Sequence, residues 1–344
     1  MTRLSAIASA PANTMLMGEH AVLFGHSALV CALTQRIYVR ANKRTDRKIV
    51  IESGLGHFQC SLADLPTQLC ETTPFTFVLQ ALALCDLAEG VQLTIESDFE
   101  HTLGLGSSAA VTVATFGAIE LLIKGELDVS AVMCLGIESI RKVQGRGSGA
   151  DVAASALGGI IKFQAKPVSA HKVNLSAEAW QGAPDFRLIY CGYKTPTPVV
   201  IEQVHLAASY EPKRFEHSYE QMGACVDDAI DALSDASNDS VNGSSNYTNW
   251  QAVAQSMGQY QNLMRELGVS DKTIESIIEL GQKQVKTGAL FGAKISGSGL
   301  GDCVLLLGSE PIDWPHTQIP VQIDPQGLRQ EARLPSDIHK EKLL

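Results

Sequence analysis

From its N-terminus the chain alternates apolar and polar positions around Pro11 and again through Ile37, Val39 and Ala41. Gly18 and Gly25 interrupt the pattern and an apolar run fills 27–33, which predicts strands, turns and a short buried segment. Alternation over 48–60 and 91–97 predicts further strands, and helical spacing runs over 73–85 and 127–144. Between them a small-residue helix is expected over 109–122, and Asp151 opens a second small-residue segment ahead of a strand at 160–163. Past residue 165 the stretch KPVSAHKVNLSAEAWQGAP is polar and proline-bearing, so it reads as the connection between two domains, 1–165 and 166–344. A strand at 186–190 then leads through the turn KTPTP into a helix. Helices follow at 250–267, with Gly268 as C-cap, and at 274–286. Strands at 293–295 and 303–307 flank a glycine-rich hairpin turn, and IPVQIDPQGLRQE offers a last strand. Residues 231–249 are too rich in Ser, Asn and Asp to pack and read as a surface loop, while 334–344 read as a frayed end.

Composition narrows the class. A chain of 344 residues has room for two cores, and 45% hydrophobic with 19% charged residues describes an ordinary globular protein. The net charge of −10 argues against a nucleic-acid or acidic-membrane surface, since both demand a basic field. Cys31, Cys60, Cys70, Cys85, Cys134, Cys191, Cys225 and Cys303 are scattered without a C-x-x-C pair, as expected of small apolar residues in a reducing compartment. No signal peptide and no apolar run of about 18 residues is legible, so a cytoplasmic enzyme is expected.

The chemistry gathers in four places. In LGLGSSAAVT, residues 103–112, Gly104 and Gly106 allow close backbone approach to an anion, and the helix that opens behind them aims unpaired N–H groups at the same spot. Ser107 or Ser108 is expected to cap that helix and to offer a hydroxyl to phosphate or magnesium. The loop lacks the lysine of a P-loop and the spacing of G-x-G-x-x-G. Glu19 and His20 stand where the chain bends after Gly18, either as a solvated polar pair or as pocket residues. Asp151 suits the first turn of a helix, with Ser148 approximating a capping box, and equally suits an acid beside a transferring phosphoryl group. Gly297, Gly299 and Gly301 suit a tight hairpin turn or backbone N–H groups facing an anion.

Taken in order, P-x-x-x-x-L-x-G-E-H-A-V-L-x-G, G-L-G-S-S-A-A and K-x-S-G-S-G-x-G-D-C resemble the three motifs of the GHMP kinases. Within that superfamily GEHAVLFGHSALVCAL, LGLGSSAAVTVA and KTPTP are most similar to mevalonate kinases, whereas QGRGSGADVAASALGG is more similar to phosphomevalonate kinases. The resemblance implies an α+β chain with a ribosomal-protein-S5-like N-terminal domain, a ferredoxin-like C-terminal domain, and ATP and Mg2+ in the cleft between them. It further implies that Gly104, Leu105, Gly106, Ser107, Ser108 and Ala109 hold the ATP phosphates, with Ser108 also on magnesium. Asp151 would be the catalytic acid, and Glu19, His20, Gly297, Ser298 and Gly299 would line the acceptor pocket. Two positions depart from the family pattern. Asn13, counted with Asp151 among the catalytic residues, stands where the family has a lysine that steadies the catalytic acid; it can donate a hydrogen bond but carries no charge. Ile140 occupies the place of a magnesium glutamate, leaving Glu138 two residues away, after a local shift, or another acid as the substitute. The expected reaction is transfer of the γ-phosphoryl of ATP to the primary hydroxyl of mevalonate. Another acceptor of the superfamily is the alternative, and a non-catalytic ligand sensor a more distant one. His20, Lys194 and Arg146 are the cations available for the acceptor's carboxylate. No nucleic-acid or membrane partner is expected, and a homodimer is left open.

Overall fold

The alternating N-terminal pattern becomes two long antiparallel strands, β1 (Ser5–Met17) and β2 (Ala28–Arg44), joined by a 3-10 turn at Ala21–Phe24. The computed structural model describes residues 3–101, 103–175, 183–235, 247–287, 291–308 and 315–341. β3 (Lys48–Ser53) and β4 (Gly56–Ser61) form a hairpin, followed by α1 (Leu65–Gln68), α2 (Thr76–Ala83) and β5 (Gly90–Ser97). α3 (Ser107–Ile123), α4 (Val129–Gln144) and α5 (Ala150–Leu157) precede a second hairpin of β6 (Ile160–Ala165) and β7 (Val168–Lys172). α3 is apolar nearly all round because it is buried all round, on β1 and β2 beneath it and against α2, α4 and α5 at its sides. The alanines at 6, 8 and 10 of β1 let it lie close; a side chain at Gly117 would collide with Leu328 at 2.5 Å.

The second layer holds β8 (Phe186–Lys194), α6 (Thr197–Tyr210), α7 (Pro212–Asp235), α8 (Tyr247–Glu266), α9 (Lys272–Thr287), β9 (Gly292–Ser296), β10 (Gly301–Leu307) and β11 (Gln318–Val321). Its sheet runs β11-β8-β10-β9, all antiparallel, which in its own numbering is the 4-1-3-2 order of a ferredoxin-like fold. α8 and α9 pack on this sheet, and the same apolar core reaches Leu16, Met17, Leu29 and Leu33 of the first layer. The chain then returns to the first sheet as β12 (Arg329–Gln330), paired with β1, and ends in α10 (Pro335–Glu341). The first sheet therefore has the order β12-β1-β2-β5-β3-β4, with β6 on β2, and its pairs are antiparallel apart from β3 and β5. Among the described residues no helix is long and apolar enough to cross a membrane.

Three expectations need correction. The division at 165/166 falls inside a hairpin of the first sheet, which continues to Lys172 and recruits residues 329–330 from the far end of the chain. Of the expected frayed end at 334–344, Pro335–Glu341 is a helix, because Asp337 meets Arg40 and Ser336 donates to Glu96 through its N–H at 3.0 Å and its hydroxyl at 2.5 Å, and 342–344 lie outside the described residues. Of the predicted loop at 231–249, the flanks 231–235 and 247–249 are helical, and 236–246 lie outside the described residues.

Candidate active site

A cleft of about 220 Å³ opens between the two layers, lined from the first by Asn13, Glu19, His20, Gly104, Gly106, Ser107, Ser108, Ile140 and Asp151, and from the second by Lys194, Gly297, Ser298 and Asp302. One end of it is the entry to α3. Gly104 and Gly106 have φ of 70° and 67°, which only glycine adopts at little cost. A Cβ on Gly106 would fall 2.2 Å from the Asn13 amide, and one on Gly104 would fall 1.7 Å from Asp302 Oδ1. The first helical bond, Ala110 N–H to Gly106 O at 3.1 Å, leaves the N–H groups of Ser107, Ser108 and Ala109 ahead of it, at the positive end of the helix dipole. The expected serine cap is absent: Gly106 is the N-cap without a side-chain bond, and Ser107 Oγ donates instead to His101 O at 3.3 Å. Both serines thereby keep positions on the cleft wall. Leu105 and Ala109 are buried with their side chains in the core, so their contribution to the loop is backbone alone.

Asn13 is brought to this loop by an irregularity in β1. Pro11 has no N–H to give the ladder, and the register shifts between it and Asn13, whose own N–H goes to Leu105 O at 3.0 Å. Its amide nitrogen donates to Ser155 Oγ at 3.0 Å and Gly106 O at 3.4 Å, so Asn13 ties the loop to α5 instead of engaging Asp151. Asp151 sits in the first turn of α5 behind N-cap Gly149, at φ 96°, and accepts the Val152 N–H at 2.9 Å. The capping box does not form, since Ser148 Oγ takes the Ala150 N–H at 3.2 Å. Burial pushes the Asp151 carboxyl above its ordinary value, the backbone N–H bond pulling the other way.

At the opposite end Gly18, φ 112°, turns the chain where a Cβ would lie 2.3 Å from Ala28 Cα. Glu19 and His20 are not a solvated pair; both are buried. His20 Nε2 lies 2.9 Å from Ser298 O, and because a carbonyl only accepts, Nε2 carries the proton. Burial lowers the His20 pKa and keeps the ring neutral. Glu19 Oε1 accepts from Lys294 Nζ at 2.6 Å and from Gly297 N–H at 3.3 Å, and Tyr260 Oη donates to the Glu19 carbonyl at 2.6 Å. Burial pushes Glu19 up and Lys294 down, and their attraction opposes both shifts. Gly299 is packed against Val269 and does not line the cleft, while Gly297 and Ser298 do.

Glu138 is not in the cleft. Two residues rotate a helical side chain by about 200°, so with Ile140 on the cleft wall Glu138 faces out, half-exposed and paired with Lys142 at 2.8 Å. Replacing Glu138 with Ala is expected to leave kcat, the metal requirement and stability within experimental scatter, about 0.5 kcal/mol or less; a steady-state metal titration checks this. The cleft acids are instead Glu19, Asp151 and Asp302. Asp302, at φ 68°, receives Lys194 Nζ on Oδ2 at 2.8 Å, while its Oδ1 is buried without a partner among the described residues. Lys294 and Asp302 both stand in the third glycine motif, and their neighbours there concealed them: glycine spacing points to backbone, so its flanking charges go unread. Of the three expected cations, Lys194 lines the cleft, paired with Asp302 at 2.8 Å, burial lowers the His20 pKa, and Arg146 lies off the cleft, paired with Glu202 at 2.9 Å.

An N–H cradle and an acid sharing one cleft with a lysine are groups that phosphoryl transfer to a small acceptor can use. Known proteins narrow the class. Residues 75–159 match the GHMP kinases N terminal domain and residues 244–313 the GHMP kinases C terminal. The mevalonate kinase of Archaeoglobus fulgidus is 30% identical over 314 residues, covering 89% of this chain and 94% of that protein. The mevalonate kinase of Thermococcus onnurineus is 28% identical over 354 residues, covering 96% and 99%. The structure of L. major mevalonate kinase in complex with R-mevalonate superposes with a TM-score of 0.72 at 20% identity, covering 95% of this chain and 97% of that one. The chain belongs to the GHMP kinases, and through them to the ATP-dependent kinases.

Proposed function

We propose that this protein transfers the γ-phosphoryl group of ATP to the primary hydroxyl of mevalonate, giving 5-phosphomevalonate. The carrying observation is that the phosphate cradle at Gly104–Ser108 and the Asp151 carboxylate line one cleft whose other wall offers Lys194. Near-full-length likeness to mevalonate kinases supports the acceptor. The cradle suits a polyphosphate through the N–H groups of the first turn of α3, at the positive end of the helix dipole, while packing on Asn13 and Asp302 demands glycine at 104 and 106. Asp302 Oδ1, buried without a partner among the described residues, and the Ser108 side chain on the same cleft suit Mg2+, which commonly takes one or two carboxylates and shares phosphate oxygens; Ser108 with Asp302 would hold it, and when bound it would neutralise phosphate charge. Asp151 orients the acceptor hydroxyl and takes its proton, and its raised pKa suits a base more than an unperturbed carboxylate would. Phosphoryl transfer asks for alignment and charge neutralisation, which this cleft provides on rigid elements.

Lys194 then receives the acceptor's carboxylate. Changing Lys194 to Met is expected to raise KM for mevalonate about 10- to 100-fold, the worth of one charge-assisted hydrogen bond, with KM for ATP little changed. The reading as a whole is tested by ADP release from purified protein with mevalonate, phosphomevalonate, homoserine and sugars. Mevalonate giving the highest kcat/KM is expected; phosphomevalonate outperforming it would reassign the acceptor, and ligand binding without ADP would make the protein a sensor.

A further inference from the structure

We propose that Arg141 is a positioning residue for the phosphoryl-transfer step: from the last turn of α4 its guanidinium ties down the glycine-rich loop that delivers Asp151 to the cleft. The inference rests on the reading of Asp151 as the base and adds to it the group that sets where the base stands. Residues 145–149 join α4 to α5, and Gly145, Gly147 and Gly149 among them have φ of 73°, 149° and 96°. Glycines leave a loop more conformations than other residues would, so contacts must hold it in one. Arg141 supplies them from both of its ends. Its carbonyl accepts the Gly145 N–H at 2.9 Å, while Nε donates to Gly147 O at 3.2 Å and Nη2 to Ser148 O at 2.9 Å. Ile137, one turn earlier, closes the end of the loop, since a Cβ on Gly149 would lie 2.7 Å from its Cγ1.

The loop belongs to the cleft, because Gly147 and Ser148 line it together with Asp151, whereas Arg141 is not among the lining residues. The guanidinium stands instead in a separate cavity of about 370 Å³ on another face of α4, with Cys134, Ile137, Glu138, Lys142 and Val168. Arg141 is thus away from the reacting groups, and its effect on catalysis passes through the two carbonyls it holds. Those carbonyls precede α5 and stand outside its ladder, whose first bond is Ala153 N–H to Gly149 O at 3.0 Å. A charged planar fork reaches two neighbouring carbonyls at once in a way that a single ammonium does not. Without it the loop, and the helix turn behind it, lose a fixed direction, and a displacement of about 1 Å at a reacting group costs about 100-fold in rate.

Arg141→Ala leaves room for the piece removed, and the cavity admits ethylguanidinium past Glu138, Lys142 and Val168, each about half exposed. kcat, KM for ATP, KM for mevalonate and the thermal midpoint are measured on the full chain with Mg2+ and ATP. Each is measured alone, with ethylguanidinium, and with ethylammonium as a cation that lacks the fork. Arg141→Ala is expected to lower kcat about 10- to 100-fold with KM for ATP within about twofold. Ethylguanidinium, and not ethylammonium, is expected to restore kcat saturably, and Arg141→Lys to fall between Arg141→Ala and wild type. A purely structural role lowers the thermal midpoint and leaves kcat per folded molecule alone, so a folded Arg141→Ala within about twofold of the wild-type kcat overturns the proposal. A loss that ethylammonium repairs as well as ethylguanidinium, or that neither repairs, overturns it too. If Arg141→Ala does not fold, Arg141→Lys decides alone, and a kcat within about twofold of wild type overturns the proposal. Wild type that phosphorylates another acceptor of the superfamily and not mevalonate overturns the mevalonate reading only, and the variants are then compared on that acceptor. Wild type that forms no ADP with any of them overturns both.

Discussion

Asp151→Asn is expected to lower kcat by about two to four orders of magnitude, the range removed with a general base, while the dissociation constant for ATP stays within about twofold. The split follows from where the residue stands. Asp151 is carried by the first turn of α5, while the N–H groups proposed to cradle phosphate belong to the first turn of α3, so the amide substitution is expected to leave the proposed nucleotide contacts in place. Asn keeps the size and can still accept the Val152 N–H, now at 2.9 Å, so the helix start is preserved. What goes is the proton acceptor, because an amide oxygen does not take a hydroxyl proton. Single-turnover ADP formation at saturating acceptor, alongside calorimetric ATP binding, checks both halves. A variant that turns over at more than a tenth of the wild-type rate would remove Asp151 from the chemistry.

The parts of this site that were legible in the sequence are those whose chemistry demands an unusual residue. Gly104 and Gly106 are required both by positive φ and by the absence of room for a Cβ, and a helix of small residues behind them is itself a pattern. The two layers were legible through periodicity for the same reason: a buried strand and a helix buried all round leave distinct spacings. What was hidden depends on distance along the chain. Lys294 and Glu19 are 275 positions apart, and nothing near either predicts that a lysine is fully buried. The helix Pro212–Asp235 carries one buried face of Phe215, Tyr219, Met222, Val226, Ala229 and Leu233, yet its pattern is hard to delimit in the sequence because its end merges into the Ser- and Asn-rich stretch. Glu138 misled because proximity in number is not proximity on a helix; the α4 backbone shows no shift that would turn it inward, and Ile140 holds the cleft position.

Arg36→Met is expected to cost about 3–5 kcal/mol of unfolding free energy, the penalty for breaking a buried ion pair on one side. Arg36 is 2% exposed on β2 and spends its donors on the first sheet and on the returning C-terminal segment together. Nε donates to Ser9 Oγ at 2.8 Å, Nη1 to Asp324 Oδ2 at 2.5 Å and Gln326 O at 3.2 Å, and Nη2 to Ser9 O at 3.0 Å and Gly327 O at 2.6 Å. Methionine fills the space but leaves the Asp324 carboxylate and these carbonyls without their donor. Lysine supplies charge without the planar fork and is expected to recover only part of the loss. The consequence extends to the cleft, because the segment that Arg36 clamps is the support behind α5. Leu328 N–H bonds Ala156 O at 2.9 Å, Gly159 N–H bonds Asp324 O at 2.7 Å, and Gly158 is packed so tightly on residues 326–327 that a Cβ there would lie 2.2 Å from Gly327 N. A residue with no place in the cleft therefore braces the far end of the helix whose first turn carries Asp151. Denaturant unfolding measures the stability loss, and Arg36→Met/Asp324→Leu should regain part of it by removing the stranded carboxylate. If instead Arg36→Met unfolds within about 1 kcal/mol of wild type, the clamp contributes no more than a surface pair, and the tail reaches β1 by strand pairing and apolar contact alone.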